Sequence, residues 1–319
     1  MAGSARPGPP VIGLDIGGTK VLGVLLGADD VVVGSVRLPT VRGVDGVVAT
    51  ASAAVRALLA GAGIAPGAAG EAVAVGVGVP GVVDPAAGTV AHAVNLGLPG
   101  EATPLARLLS GSLGGAPVRV ENDLNAAVLG VARALAATDL AFLALGTGIA
   151  AGLLLDGRLR RGAFGAAGEI GHLPYRLDGL VCPCGQHGCL ELYASGASLD
   201  ARWPAAVGTP PPAALFAAAA AGDPAATVLR DEFARAVAAA VRILVLTTDV
   251  EHVVLGGGVS EVGEPLLAAV VHALTVQAGE SAFLGSLNIA ARVRLPPAGS
   301  PVAAIGAALV ARGTVAPWK

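Results

Sequence analysis

Val11-Ile12-Gly13-Leu14-Asp15-Ile16-Gly17-Gly18-Thr19-Lys20 decides how the rest of the chain is read. Val11–Ile16 has the apolar, β-branched character of a short buried strand. Gly17-Gly18 breaks it, Val21–Gly27 returns as a second strand, and Val31–Arg37 follows the Asp29-Asp30 turn as a third. Glycines let a backbone approach an anion and take positive φ, and clustered N–H groups bind phosphate oxygens. Thr19 and Lys20 add a hydroxyl and a positive charge. The segment is not a P-loop, because Thr19-Lys20 reverses the Lys-then-Ser/Thr order, and G-x-G-x-x-G is absent. Asp15 stands at the strand end, where a buried carboxylate is costly unless it is paired or near a metal. The plainer alternative is a tight hairpin with Asp15 bonded to backbone.

The pattern returns about 130 residues later. Leu140–Leu145 reads as a strand, Gly146-Thr147-Gly148 as a glycine turn, Ala151–Leu155 as the returning strand and Asp156-Gly157 as the next turn. Alone, the second turn reads as a plain hairpin. Paired with the first, it predicts two related halves facing each other with a two-sided phosphate clamp.

Composition removes other classes. Of 319 residues, 54% are hydrophobic and only 13% charged, so the chain can bury a core and is not a disordered one. Lys+Arg (20) nearly balances Asp+Glu (23), so the basic excess of a nucleic-acid binder is missing. The uncharged runs Leu140–Leu155 and Trp203–Gly222 are broken by glycines and prolines, unlike a lipid-facing helix of about 20 apolar residues. The segment Met1–Pro10 is short and Pro-rich, and Asp15 and Lys20 interrupt the apolar stretch after it, so no secretory leader is expected.

Further along, Val44–Leu59 and Pro104–Leu113 read as helices, Ala72–Val79 as a buried strand ended by Pro80-Gly81, and Val118–Val120 as a strand feeding a helix over Asn122–Ala136. Glu121-Asn122-Asp123-Leu124-Asn125 therefore lies at a strand-to-helix junction, a usual place for ligands in α/β sheets. Asp123 could take a proton from a substrate hydroxyl that Asn122 orients; the plainer alternative is a helix N-cap. Helices follow from about Ala213 to Leu246, then a strand at His252–Leu255. Gly256-Gly257-Gly258 ends that strand and opens the next helix, where a flat ring or ribose could lie close to backbone near the helix N-terminus. An ordinary βα turn is the alternative. A final small-residue helix covers about Pro301–Ala311.

Gly168-Glu169-Ile170-Gly171-His172, nine further residues, and Cys182-Pro183-Cys184-Gly185-Gln186-His187-Gly188-Cys189-Leu190-Glu191 form the most specific block. One imidazole and three thiolates complete a tetrahedral zinc shell with no open position, so the metal is expected to be structural. His187 competes with His172 but is squeezed between Cys184 and Cys189. Clustered cysteines favour a metal and a reducing compartment over a disulfide framework. Glu169 and Glu191 flank the block. Either they are solvated carboxylates, or the metal ties two segments together so that both face one hydroxyl-rich ligand. Removing the metal is expected to disorder that side and leave the glycine turns mostly intact.

Together these motifs resemble the ROK family (repressors, open reading frames and sugar kinases), over Val11 to about Ala311. The resemblance implies a mixed α/β, two-lobed hexokinase/actin-like (ribonuclease H-like) fold with a structural zinc loop. Its expected domains are residues 1–121, with a helix at about 301–314 packing back on them, and residues 122–300, with the zinc loop at 172–191. It also implies an ATP-dependent kinase acting on the 6-hydroxyl of a hexose, glucose first, with N-acetylmannosamine, N-acetylglucosamine or fructose as alternatives. Asp123 would be the catalytic base, and Gly81, Asn122, Asp123, Glu169, His172 and Glu191 would bind sugar. Asp15, Gly17, Gly18, Thr19 and Lys20, with Gly146, Thr147 and Gly148, would hold the phosphates of ATP and its Mg²⁺. Gly256, Gly257 and Gly258 would take the adenosine, and His172, Cys182, Cys184 and Cys189 the Zn²⁺. Ala150 and Leu98 replace a glycine and a tryptophan common in relatives. A cytoplasmic homodimer or homotetramer is expected, without membrane or nucleic-acid partners. The family's repressors need an added N-terminal helix-turn-helix, and only ten residues precede the first strand here.

Overall fold

The structure, a computed structural model, describes residues 9–64, 73–98 and 100–313. The expected absence of a leader, which rests partly on Met1–Gly8, and the expected last residue of the final helix, Thr314, fall outside them. The chain forms two compact units, Met1–Ala136 with Gly299–Lys319, and Ala137–Ala298.

The first unit runs β1 (Val11–Ile16), β2 (Lys20–Leu26), β3 (Val32–Pro39), α1 (Val44–Gly61), β4 (Ala74–Val79), β5 (Val82–Asp84), β6 (Thr89–Ala91), α2 (Leu105–Ser112), β7 (Val118–Asn122) and α3 (Asp123–Leu135). Its five-stranded sheet has the order β3-β2-β1-β4-β7. The first three strands form an antiparallel meander, and β4 and β7 add in parallel. One face is covered by α1, which buries Val47, Ala51, Ala54, Val55 and Leu58 among Ile12, Leu14 and Val77. Each such valine or leucine contributes roughly 1.5–3 kcal/mol. By length and composition α1 is also apolar enough to cross a membrane, a property the expectation above did not assign to it. In this fold its apolar stripe is spent on the sheet.

The second unit runs β8 (Leu140–Leu145), β9 (Ile149–Leu155), β10 (Arg158–Leu159), α4 (Glu191–Ala194), α5 (Gly196–Asp200), α6 (Pro211–Ala220), α7 (Pro224–Thr248), β11 (His252–Gly256), α8 (Glu264–Gly279), α9 (Ala282–Ser286) and β12 (Val293–Arg294). Its sheet order is β10-β9-β8-β11-β12, with β8, β9 and β10 antiparallel and β11 and β12 parallel to β8. Counted within each unit, the two sheets have the same order and strand directions. The weak sequence echo between residues 11–30 and 140–157 is therefore a repeat of topology. Helix α7 starts at Asp223, whose carboxylate caps Ala226 N at 3.0 Å, with Pro224 in its first turn. It buries Phe233, Val237, Val241 and Leu244 in the unit's core.

The last helix, α10 (Val302–Arg312), returns to the first unit and packs on the sheet face opposite α1. Its approach is so close that a Cβ on Gly13 or Gly76 would run into the carbonyls of Ala304 or Ala307. Helix α3 packs against α10, and this moves the domain boundary. The sequence suggested a break between residues 121 and 122; the units divide between 136 and 137, and α3 belongs to the first.

Candidate active site

In the first unit, parallel pairing sets Asp15 beside Gly78 and Val79 beside Asn122. The carboxyl ends of β1, β4 and β7 thus bring Asp15, Gly81, Asn122 and Asp123 to one edge of the sheet, where open α/β sheets bind ligands. Asn122 is the N-cap of α3: its Oδ1 accepts from Leu124 N (3.0 Å) and Asn125 N (3.3 Å), and its Nδ2 donates to Gly81 O (3.2 Å). The capping alternative therefore holds for Asn122, and the cap orients rather than replaces the neighbouring acid. Asp123 Oδ1 accepts from Leu124 N at 2.9 Å, leaving its other oxygen unengaged by that bond. Behind them Glu121, 1% exposed, accepts from Asn122 N (3.1 Å) and Asn125 Nδ2 (2.9 Å).

Electrostatics at this edge favour a cation. Burial, then the charge of Asp123, pushes the Asp15 carboxyl up to about 6, with Lys20 opposing. Asp123 is also raised, chiefly by burial, against the lowering effect of its Leu124 N–H bond. The Asp15 carboxylate, buried beside a second acid, suits a cation that would offset its charge.

The first glycine turn, Gly17–Thr19, closes the β1–β2 hairpin with Gly17 N donating to Lys20 O at 2.9 Å. Thr40, an isolated threonine outside any sequence motif, stiffens it. Its hydroxyl donates to Gly17 O (2.6 Å) and its N–H to Thr19 O (3.1 Å). Thr19 and Lys20 are exposed.

The second unit carries the matching turn, Gly146–Gly148, between β8 and β9, with Gly146 N donating to Gly148 O at 3.0 Å. Strand β11 pairs with β8 so that Gly256 sits beside Ala144, and Gly256–Gly258 therefore lies at the same sheet end as the second turn. Gly257 takes φ +81° against the Leu145 carbonyl, a conformation and a proximity that exclude a side chain. The following turn, Gly258–Val262, is a short 3₁₀ helix rather than the start of α8.

Segment Gly168–His172 docks on β9, with Ala151 N donating to Gly168 O at 2.8 Å. Glu169 is exposed and precedes the helical turn that carries His172. The metal-binding atoms of His172, Cys182, Cys184 and Cys189 all lie within 4.8 Å of one another. Two sulfurs each about 2.3 Å from one tetrahedral ion would stand roughly 3.8 Å apart, and Cys184 Sγ and Cys189 Sγ are 3.6 Å apart. Nδ1 of His172 is buried without a hydrogen-bond partner, as a nitrogen ligand would be. His187 is exposed and outside the group. Hydrogen bonding from Gln186 pulls the Cys184 thiol down to about 6, while burial pushes Cys189 up to about 12. Thiols this close cannot all ionise without a cation among them. The donor set therefore fits a tetrahedral ion.

A hairpin carries the three cysteines: Cys182 N donates to Gln186 O (2.8 Å) and Gly188 N to Leu180 O (2.7 Å), while Leu190 N donates to Leu173 O (2.9 Å), next to His172. Tyr193 braces it, its hydroxyl accepting from Leu180 N at 3.1 Å while Arg176 lies 4.9 Å over its ring.

Two five-stranded sheets of one topology, each with a glycine turn after its first strand, and a His-Cys₃ loop in the second define a ROK-type protein. The chain belongs to the ROK family, whose sequence pattern matches residues 11–314. It is 34% identical over 191 residues to a glucokinase of Streptomyces coelicolor, a match covering 59% of this chain and 57% of that protein's length. It is 34% identical over 260 residues to an N-acetylgalactosamine kinase of Shewanella, covering 76% of this chain and 80% of that one. The crystal structure of a ROK family glucokinase from Streptomyces griseus in complex with glucose and AMPPNP superposes with a TM-score of 0.73 at 33% identity. That match covers 95% of this chain and 99% of the glucokinase.

Proposed function

We propose that this protein is an ATP-dependent sugar kinase that moves the γ-phosphoryl group of ATP to the primary, 6-hydroxyl group of a hexose, glucose first. The observation that carries this reading is the edge of the first sheet, where Asp15, Gly81, Asn122 and Asp123 meet at the ends of β1, β4 and β7. Asp123 is the base. It takes the hydroxyl proton as the sugar oxygen forms its bond to the γ-phosphorus and the bond to the β-phosphate oxygen breaks, releasing ADP. Its rigid placement at the start of α3 supplies orientation, which does much of the work when little covalent chemistry is asked of a protein. Asn122 aims the hydroxyl, and Gly81 lines the pocket through its backbone. Glu169, His172 and Glu191 take the remaining sugar hydroxyls, so that an analogue lacking one would leave a polar group of the pocket unpaired.

Gly17, Gly18, Thr19 and Lys20, with Gly146, Thr147 and Gly148, hold the phosphates, and Gly256, Gly257 and Gly258 hold the adenosine. Asp15 holds the Mg²⁺ that accompanies ATP and offsets phosphate charge. Zn²⁺ on His172, Cys182, Cys184 and Cys189 fixes the loop that carries Glu191. We place the protein in the cytoplasm as a homodimer or homotetramer, without nucleic-acid or membrane partners. An N-acylhexosamine substrate is the second reading, favoured by the N-acetylgalactosamine kinase among the relatives; fructose is a third.

The test is ADP release across hexoses and N-acetylhexosamines with Mg²⁺ present and zinc retained. A sugar-dependent signal, greatest for glucose, is expected. Release with no sugar in the panel would defeat the kinase reading, and a maximum on an N-acetylhexosamine would replace glucose.

A further inference from the structure

The second glycine turn is held by the stretch of chain that follows the last cysteine. Cys189 leads into α4, its carbonyl accepting from Leu192 N at 3.1 Å. Two residues on, Glu191 Oε2 accepts from Ile149 N at 3.2 Å, the first amide beyond the turn. The same carboxylate is packed so closely on Gly148 that a Cβ there would run into it. Helix α5 adds two bonds from its N-terminal turn, Gly196 N to Gly146 O (2.7 Å) and Ala197 N to Thr147 O (3.3 Å). Turn carbonyls occupied in this way are fixed in direction, and that fixes the peptide N–H groups on their other side.

We infer that Glu191 is a positioning residue for the second phosphate turn, and that the His-Cys₃ cluster governs nucleotide grip through residues 189–197. The inference rests on the kinase reading above and goes beyond the sugar contact given there to Glu191. It also reverses the expectation that metal loss spares the glycine turns: the loop and the turn share one hydrogen-bonded segment.

The test uses the full chain, zinc-loaded and without sugar, so that sugar contacts do not contribute. Mg·ADP affinity is measured by calorimetry, and amide exchange is followed in the peptide covering residues 145–151. Glu191→Ala is expected to weaken Mg·ADP by about tenfold, the size of one hydrogen bond to a charged acceptor, and to speed exchange in that peptide. Glu191→Gln keeps an acceptor oxygen for Ile149 N and is expected to stay within about threefold of the unsubstituted protein. A folded, zinc-replete Glu191→Ala protein with unchanged affinity and exchange would overturn the inference. Should that variant not fold, chelation of the unsubstituted protein reads the same coupling. Weaker Mg·ADP binding with faster exchange at 145–151 supports it, and unchanged binding overturns it. Failure of the inference leaves Mg·ADP binding in the unsubstituted protein intact, whereas failure of the kinase reading removes that binding altogether.

Discussion

The two glycine turns occupy equivalent places in two sheets of identical order, yet their surroundings differ. Two residues before the first turn stands Asp15, paired beside Gly78; two residues before the second stands Ala144, paired beside Gly256. The first turn is steadied by Thr40, the residue that follows β3. The second is steadied by α5 and by Glu191, 42 residues further along the chain than the amide it accepts from. A shared topology thus fixes where the two turns stand, and the side chains around them decide what else happens there. In the first unit the additions are acids; in the second they are backbone bonds and a metal-ready hairpin.

The largest expected effect tests that division directly. Asp123→Asn should lower turnover by about 10²–10⁴-fold, the usual contribution of a positioned base, while zinc content and Mg·ADP affinity stay close to those of the unsubstituted protein. Parallel loss of nucleotide binding would show that the first unit's acids do not act separately from the phosphate grip.

Asp15→Asn should come next, with a gain and a loss. The folded state raises the Asp15 carboxyl from 3.8 to about 6, so its ionised form opposes folding at neutral pH. Below pH 3.8 the carboxyl is neutral folded or unfolded and the substitution should change little. As pH rises to about 6 the penalty grows, and at pH 8 the variant should be more stable by up to about 3 kcal/mol, read by denaturant titration. The same variant should lose affinity for Mg·ATP. In the unsubstituted protein, that affinity should fall as pH drops through about 6, because protonated Asp15 offers the ion no charge. An Mg·ATP affinity flat from pH 5 to 8 would remove Asp15 from this role.

Thr40→Val sharpens the comparison at the smallest scale. Losing one neutral hydrogen bond, worth about 1 kcal/mol, should raise the KM for ATP a few-fold and leave kcat nearly unchanged. If Thr40→Val costs as much as Glu191→Ala, the two turns are supported equally and the asymmetry drawn above is too strong.

Much of this was legible in the sequence because glycine turns between apolar strands leave a local signature. The hairpin at residues 140–155 and the donor set at 172–189 are both patterns of spacing. The small hairpin β5–β6 was not foreseen, although Asp84 signals its turn by accepting from Ala86 N and Ala87 N at 2.9 and 3.0 Å. Thr40 and the clasp of Glu191 on residues 148–149 were hidden for a different reason. Each depends on chain segments 23 and 42 residues apart, and an isolated threonine or glutamate carries no mark of its partner. The boundary at 136 escaped for the same cause, since α3 is claimed by a helix that begins only at Val302.

That late claim has a consequence for synthesis. The second unit is complete in the chain once residue 298 has been made, but the first, begun at residue 11, still lacks the helix that seats on Gly13 and Gly76. On the ribosome the earlier-made sheet must therefore wait with one face covered only in part, by α3, while the later-made one can already close. Truncation ahead of Val302 would leave it waiting permanently, a substrate for chaperones.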